Sequence, residues 1–234
     1  MSTVAPVLRT FASFGRVSLL GFAAILTGLV GVVGLATHRW GELDHSVWVI
    51  AGLPVSIYLF VLGILAPATL LMPLVAHGVT RRAFAVASGV ATLVLGAGTG
   101  LYMVVGFLAE RAAYAAVGGS AALQEPHLFD TTGQLHLVFA EYSLLAAAYL
   151  VAGWLIGIGY QRFGWLGGTI GVLPALLPFA AVEFALGLGP PEPSRPTADL
   201  PVGAGLLLAM VAVGIGLLAG RWLLHGVPVR AKKS

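Results

Sequence analysis

Glu141, in "LHLVFAEYSLL", and Glu183, in "PFAAVEFALG", each stand inside a long apolar run. An ionised carboxylate in hydrocarbon costs at least a few kcal/mol, so each must face a polar cavity or a partner, or carry a proton. Two chemistries fit: a polar vestibule or gate on a translocation path, or a hydrogen bond to a neighbouring helix near the membrane interface. The histidines offer less. Six are present, with His38, His45, His127 and His136 toward one side of the chain's apolar runs, His77 and His225 toward the other, and none in the middle of a run. A haem held by His38 and His136 would need facing helices and a defined pocket. The run "EPHLFDTTGQLH" supplies Glu125, His127, Asp130 and His136, but their spacing matches no zinc pattern and reads as a polar loop. No G-x-S-x-G or H-E-x-x-H is present, and the chain has no Cys, which removes thiol catalysis and thiolate metal sites. The expectation is a protein that is not an enzyme, with no catalytic residue, no metal and no cofactor in this chain.

The elements that carry these residues are membrane helices. The chain is 59% hydrophobic and 9% charged, where soluble domains carry about 25% charged residues, and its mean hydropathy is +0.98. Apolar runs long enough to cross a bilayer fall near 17–37, 47–76, 83–108, 134–160, 164–186 and 201–222. The expected fold is all-α: a single six-helix transmembrane domain over 17–222, followed by a basic cytoplasmic tail over 223–234. The second run contains Pro54, Pro67 and Pro73, so it should tilt or kink. Before the first run, Val4, Val7, Leu8, Phe11 and Phe14 recur at helical spacing with Arg9 and Arg16 between them. That pattern predicts an interfacial amphipathic helix over 1–16, separate from the first span. The first span exceeds the apolar length of a signal peptide and is expected to be retained.

Charge sets the orientation. Six spans put both termini on one side. Placing them in the cytoplasm puts Arg9, Arg16, Arg81, Arg82, Arg162, Arg221, Arg230, Lys232 and Lys233 inside, and leaves Arg39, Arg111 and Arg195 outside. The acidic residues Glu42, Asp44, Glu110, Glu125, Asp130, Glu141, Glu183, Glu192 and Asp199 all fall in outer loops or outer helix halves. The positive-inside rule predicts a multi-pass protein of the plasma (inner) membrane with cytoplasmic termini. The same spread of basic residues over several loop ends argues against nucleic acid as a partner and for anionic lipid headgroups.

One inner turn stands out. In "LVAHGVTRRAFAVA", Gly78 can end the second helix in a left-handed conformation and Thr80 can cap the third. Arg81 and Arg82 then occupy the first turn of that third helix, where the macrodipole disfavours cations by about 0.3–1 kcal/mol each. They serve topology or a partner.

The six spans, the interfacial N-terminal segment, the short basic turn "HGVTRRAF" and the turn "GWLIGIGYQRFGWLGG" together resemble the permease subunits of ATP-binding-cassette exporters of the second type. The resemblance covers nearly the whole chain. It implies that His77, Gly78, Val79, Thr80, Arg81 and Arg82, with Arg162 in the second turn, couple the membrane domain to a partner ATPase. It implies a second permease copy, and Glu141 and Glu183 as candidates for the path or outer gate. The brief, Pro-rich "GLGPPEPSRPTADLP" implies a reduced external gate. The chain has no GxxxxGK[ST] loop, so ATP and Mg would be held by the partner ATPase subunit. The cargo expected is a drug, peptide or lipid of hydrophobic or amphipathic character. A small secondary transporter, or a membrane-embedded haem or redox protein, is the alternative class. The spacings Gly96 with Gly100, Gly153 with Gly157 and Gly216 with Gly220 permit close helix contact, within the chain or with another.

Overall fold

A computed structural model describes residues 4–40, 45–118, 122–188 and 200–227. Glu42, Asp44, Glu192, Arg195, Asp199, Arg230, Lys232 and Lys233, and most of the basic tail, lie outside the described residues.

Helix α1, Val4–Trp40, is 37 residues long and runs without a break through Arg16. Residues 4–16 of the expected interfacial segment are helical and continuous with the first long helix. Its Pro6 lies in the first turn, where a missing N–H is harmless, and no later residue of the segment is a proline. Val7 is fully buried, and the Phe11 ring meets Phe84 edge-on at 5.5 Å.

The second span starts with one turn of 3₁₀ helix, Trp48–Ala51, and continues as α2, Gly52–Ala66. A π-helical turn, Pro67–Leu71, leads into α3, Met72–Ala76. The wide turn has a plain cause. Pro67 lacks an N–H and its ring would strike the carbonyl four residues back, so the helix opens by one residue at that point.

Helix α4, Arg81–Val117, ends at Gly118, which takes φ 76°. It extends nine residues past the end expected at 108, because the Ala-rich stretch 109–117 consists largely of good helix formers. Glu110 and Arg111, expected in an outer loop, are helical.

Helix α5, Leu135–Ile170, is interrupted at Gly164, whose φ 71° and ψ −168° are not helical. The expected fourth span thus ends at 163. The expected fifth span is three short pieces in place of one helix: 165–170, then α6, Val172–Ala175, and α7, Leu177–Ala185. Pro174 and Pro178 each remove a backbone donor, and Gly171 separates the first two pieces. Helix α8, Val202–His225, closes the bundle. Among the described residues five stretches, Val4–Trp40, Trp48–Ala76, Arg81–Val117, Leu135–Ile170 and Val202–His225, are long and apolar enough to cross a membrane.

The most enclosed element is α5, which packs on α2, α4, α7 and α8. Small residues bring the backbones together. Gly153 lies against the Phe60 carbonyl of α2, Gly96 against the Ser143 carbonyl of α5, and Gly220 of α8 against the Trp154 ring. All three glycine pairs noted in the sequence are used within this chain. At the edge, α1 packs chiefly on α4, and most of its surface is exposed.

Candidate functional site

The turn between α3 and α4 is built by two local devices. His77 caps α3, and Gly78 takes φ 86°. The Gly78 N–H donates to the Val75 carbonyl and the Val79 N–H to the Leu74 carbonyl, each at 3.0 Å, the paired bonds of a Schellman end. Thr80 then starts α4, its Oγ1 accepting from the Ala83 N–H at 3.1 Å. His77, Gly78, Thr80 and Arg82 are exposed, and Val79 is half-buried.

Arg81 points elsewhere. Its guanidinium donates to the His225 carbonyl at 3.3 Å and to the Val227 carbonyl at 2.6 Å, at the end of α8. Arg162 donates to the Leu223 carbonyl at 3.1 Å, with its guanidinium 4.9 Å from the centre of the Trp222 ring and 5.0 Å from that of Phe163. Two arginines from two different turns therefore satisfy the orphan carbonyls at the negative end of α8. Arg81 opposes the dipole of its own helix and complements that of another. Beyond topology or a partner, the two possibilities weighed from sequence, Arg81 has this internal role. We call this the basic end of the bundle.

At the opposite, acidic end, the sequence missed Glu110. This buried carboxylate accepts from the Val47 and Trp48 N–H groups at 2.6 and 2.8 Å and from Ser46 Oγ at 2.7 Å. It caps the start of the second span from across the bundle, where an anion meets the positive end of a helix. The one available signal was the helix-forming "FLAERAAY", which continues α4 and its apolar face.

Glu141 is 1% exposed. Its Oε1 is 2.8 Å from His127 Nδ1 and its Oε2 accepts from the Leu128 N–H at 2.6 Å. The segment before α5 thus folds over its own helix. Phe129 follows it inward, stacked on the His127 ring at 4.8 Å and edge-on to Phe107 at 5.9 Å. Glu183 accepts from the Tyr149 hydroxyl at 3.3 Å. His38 lies near the end of α1 and His136 in the first turn of α5. Among the described residues, no three His, Asp or Glu side chains are grouped so as to hold a metal ion.

Two apolar grooves flank the seam along α1. One, of about 700 Å³, lies toward the basic end, with Phe11 and Arg16 from α1, Ser88 and Thr92 from α4, and Trp154 from α5 in its walls. The other, of about 430 Å³, lies toward the acidic end and includes His38, Trp48 and Glu110. Between them α1 is tied down at a waist. Ser18 Oγ meets the Tyr58 hydroxyl at 2.7 Å, the Phe22 and Tyr58 rings stack at 4.2 Å, and Thr27 Oγ1 meets the Tyr102 hydroxyl at 3.0 Å.

A helical bundle with several helices long and apolar enough to cross a membrane is the architecture of a polytopic membrane protein. Comparison with protein-family models, with curated proteins and with solved structures finds no match to this chain.

Proposed function

We propose that this chain is the permease subunit of an ATP-driven exporter, working with a separate ATP-binding-cassette ATPase and a second permease copy to move a hydrophobic or amphipathic substrate. In this reading the basic end faces the cytoplasm of a bacterial-type inner membrane. The broken run 165–185 makes the sixth crossing, and the first turns of α1 lie at the interface. ATP and Mg belong to the partner.

The observation that supports it best is the exposed turn at 77–80 and what lies behind it. Thr80 and Arg82 are exposed and present a small polar surface at the turn. Directly behind, Arg81 fastens the start of α4 to the end of α8, and Arg162 fastens the Gly164 elbow to the same place. A push on the turn therefore moves α4, α8 and the end of α5 together. That is the mechanical property a coupling turn needs, since nucleotide binding must bias two discrete arrangements of the membrane helices.

The test is co-purification of the ATPase with single variants. Arg82→Glu should lower association at least tenfold, about 1.4 kcal/mol, while insertion and thermal stability stay as in the parent. Undiminished association would remove the coupling role. Transport by the chain alone, driven by a proton or sodium gradient, would replace the exporter with a secondary transporter.

A further inference from the structure

We infer that the groove at the basic end is a binding site for a membrane-resident amphiphile with an anionic head, the head on Arg16 and the apolar tail between α1 and α4. This rests on the exporter reading only in making the occupant a transport substrate; binding itself requires no ATPase.

Three observations converge. The first is depth. Phe11 pairs with Phe84 and Thr27 with Tyr102, so α1 and α4 run side by side in the same direction. Arg16 then lies level with about residue 90 of α4, roughly 13 Å beyond Arg81 at 1.5 Å per residue. A cation so far along an apolar helix is costly unless it meets an anion or snorkels to the headgroups, and such residues mark functional paths.

The second is its lack of a partner. Arg16 makes no hydrogen bond or ion pair with the described residues. Arg16 is exposed and lines the groove.

The third is the groove itself. Its walls are almost entirely apolar, and its size falls in the usual range of small-molecule sites, about 300–1,000 Å³. The benzo edge of Trp154 packs on Gly220 of α8, and Trp154 lines the groove. Charge complementarity at the rim and an apolar interior open to lipid fit an anionic amphiphile better than a zwitterionic or neutral one.

The experiment uses the purified full-length protein in neutral detergent at about pH 9, well above the ordinary value of a carboxylic acid. Dibrominated stearate and its methyl ester share one tail and differ only in charge. Bromine quenches nearby tryptophan, and the Trp154 share is the difference between the parent and Trp154→Phe. Stearate should quench that share at a concentration five- to tenfold lower than the ester, as one basic residue near a membrane surface allows. Arg16→Gln should abolish the difference, Arg16→Lys should retain most of it, and Ala91→Phe, which fills the groove, should remove quenching by both. Equal quenching by acid and ester in the parent, or an undiminished preference in Arg16→Gln, overturns the site. Loss of ATPase association in Arg82→Glu with no amphiphile preference in the parent would keep the exporter and discard this groove. The reverse pair of results would keep the groove and discard the exporter.

Discussion

Arg81 sits in the first turn of α4, where the macrodipole disfavours it, and reaches across to the far end of α8. Its contribution lies in joining residues 144 and 146 positions apart in sequence, which no local pattern could report. Gly78 and Thr80 were legible for the opposite reason: a left-handed stop and an N-cap act on their own neighbours. Glu110 was hidden by the assumption that a Glu-Arg pair ends a membrane helix, when the stretch simply continues in helix formers. Arg81→Ala should therefore lower stability by about 1–3 kcal/mol, read as a fall in the thermal midpoint with hydrogen exchange rising first at the end of α8. Glu110→Ala leaves three donors without an acceptor, two of them buried main-chain groups. It should cost about 3 kcal/mol, with faster exchange at Val47 and Trp48 as the specific readout. Gly164→Ala forces a side chain into a region that only glycine enters readily. A loss of about 1–3 kcal/mol is expected, measured as reduced yield of folded protein in detergent.

Among the elements, four of the six expected spans appear as single long helical stretches, because length and apolarity determine them. The second is continuous and carries its distortion at Pro67, one of the prolines that predicted a kink. The fifth failed as a single helix. Its apolar count concealed Gly164, Gly171, Pro174 and Pro178, each of which acts on backbone geometry and leaves hydropathy unchanged. The seam at α1 follows a different logic, since the hydroxyls of Tyr58 and Tyr102 hold α1 at mid-length while apolar space remains on either side. Replacing both tyrosines by Phe deletes three hydrogen bonds, to Ser18, Thr27 and the Ala23 carbonyl, without changing shape. Exchange of α1 amides between 18 and 27 should accelerate several-fold, as a net loss of about 1 kcal/mol for each bond implies, while α5 amides stay as protected as before.

For the molecule as a whole, the segregation of charge to two ends predicts how it lies in a membrane. The chain contains no Cys, so a single introduced thiol reports its own side. In intact cells a membrane-impermeant maleimide should label Glu125→Cys and leave His77→Cys untouched until the membrane is permeabilised. The reversed pattern would put the turn at 77–80 out of reach of any cytoplasmic ATPase. The peripheral place of α1 also bears on how the protein is made. Its principal neighbour, α4, lies more than seventy residues later, as the contact between Thr27 and Tyr102 requires. At about 5–20 residues per second, α1 leaves the ribosome several seconds before α4 exists, with the second span, through Tyr58, as its earlier neighbour. It must pass that interval packed on the second span alone, with Arg16 met only by lipid headgroups.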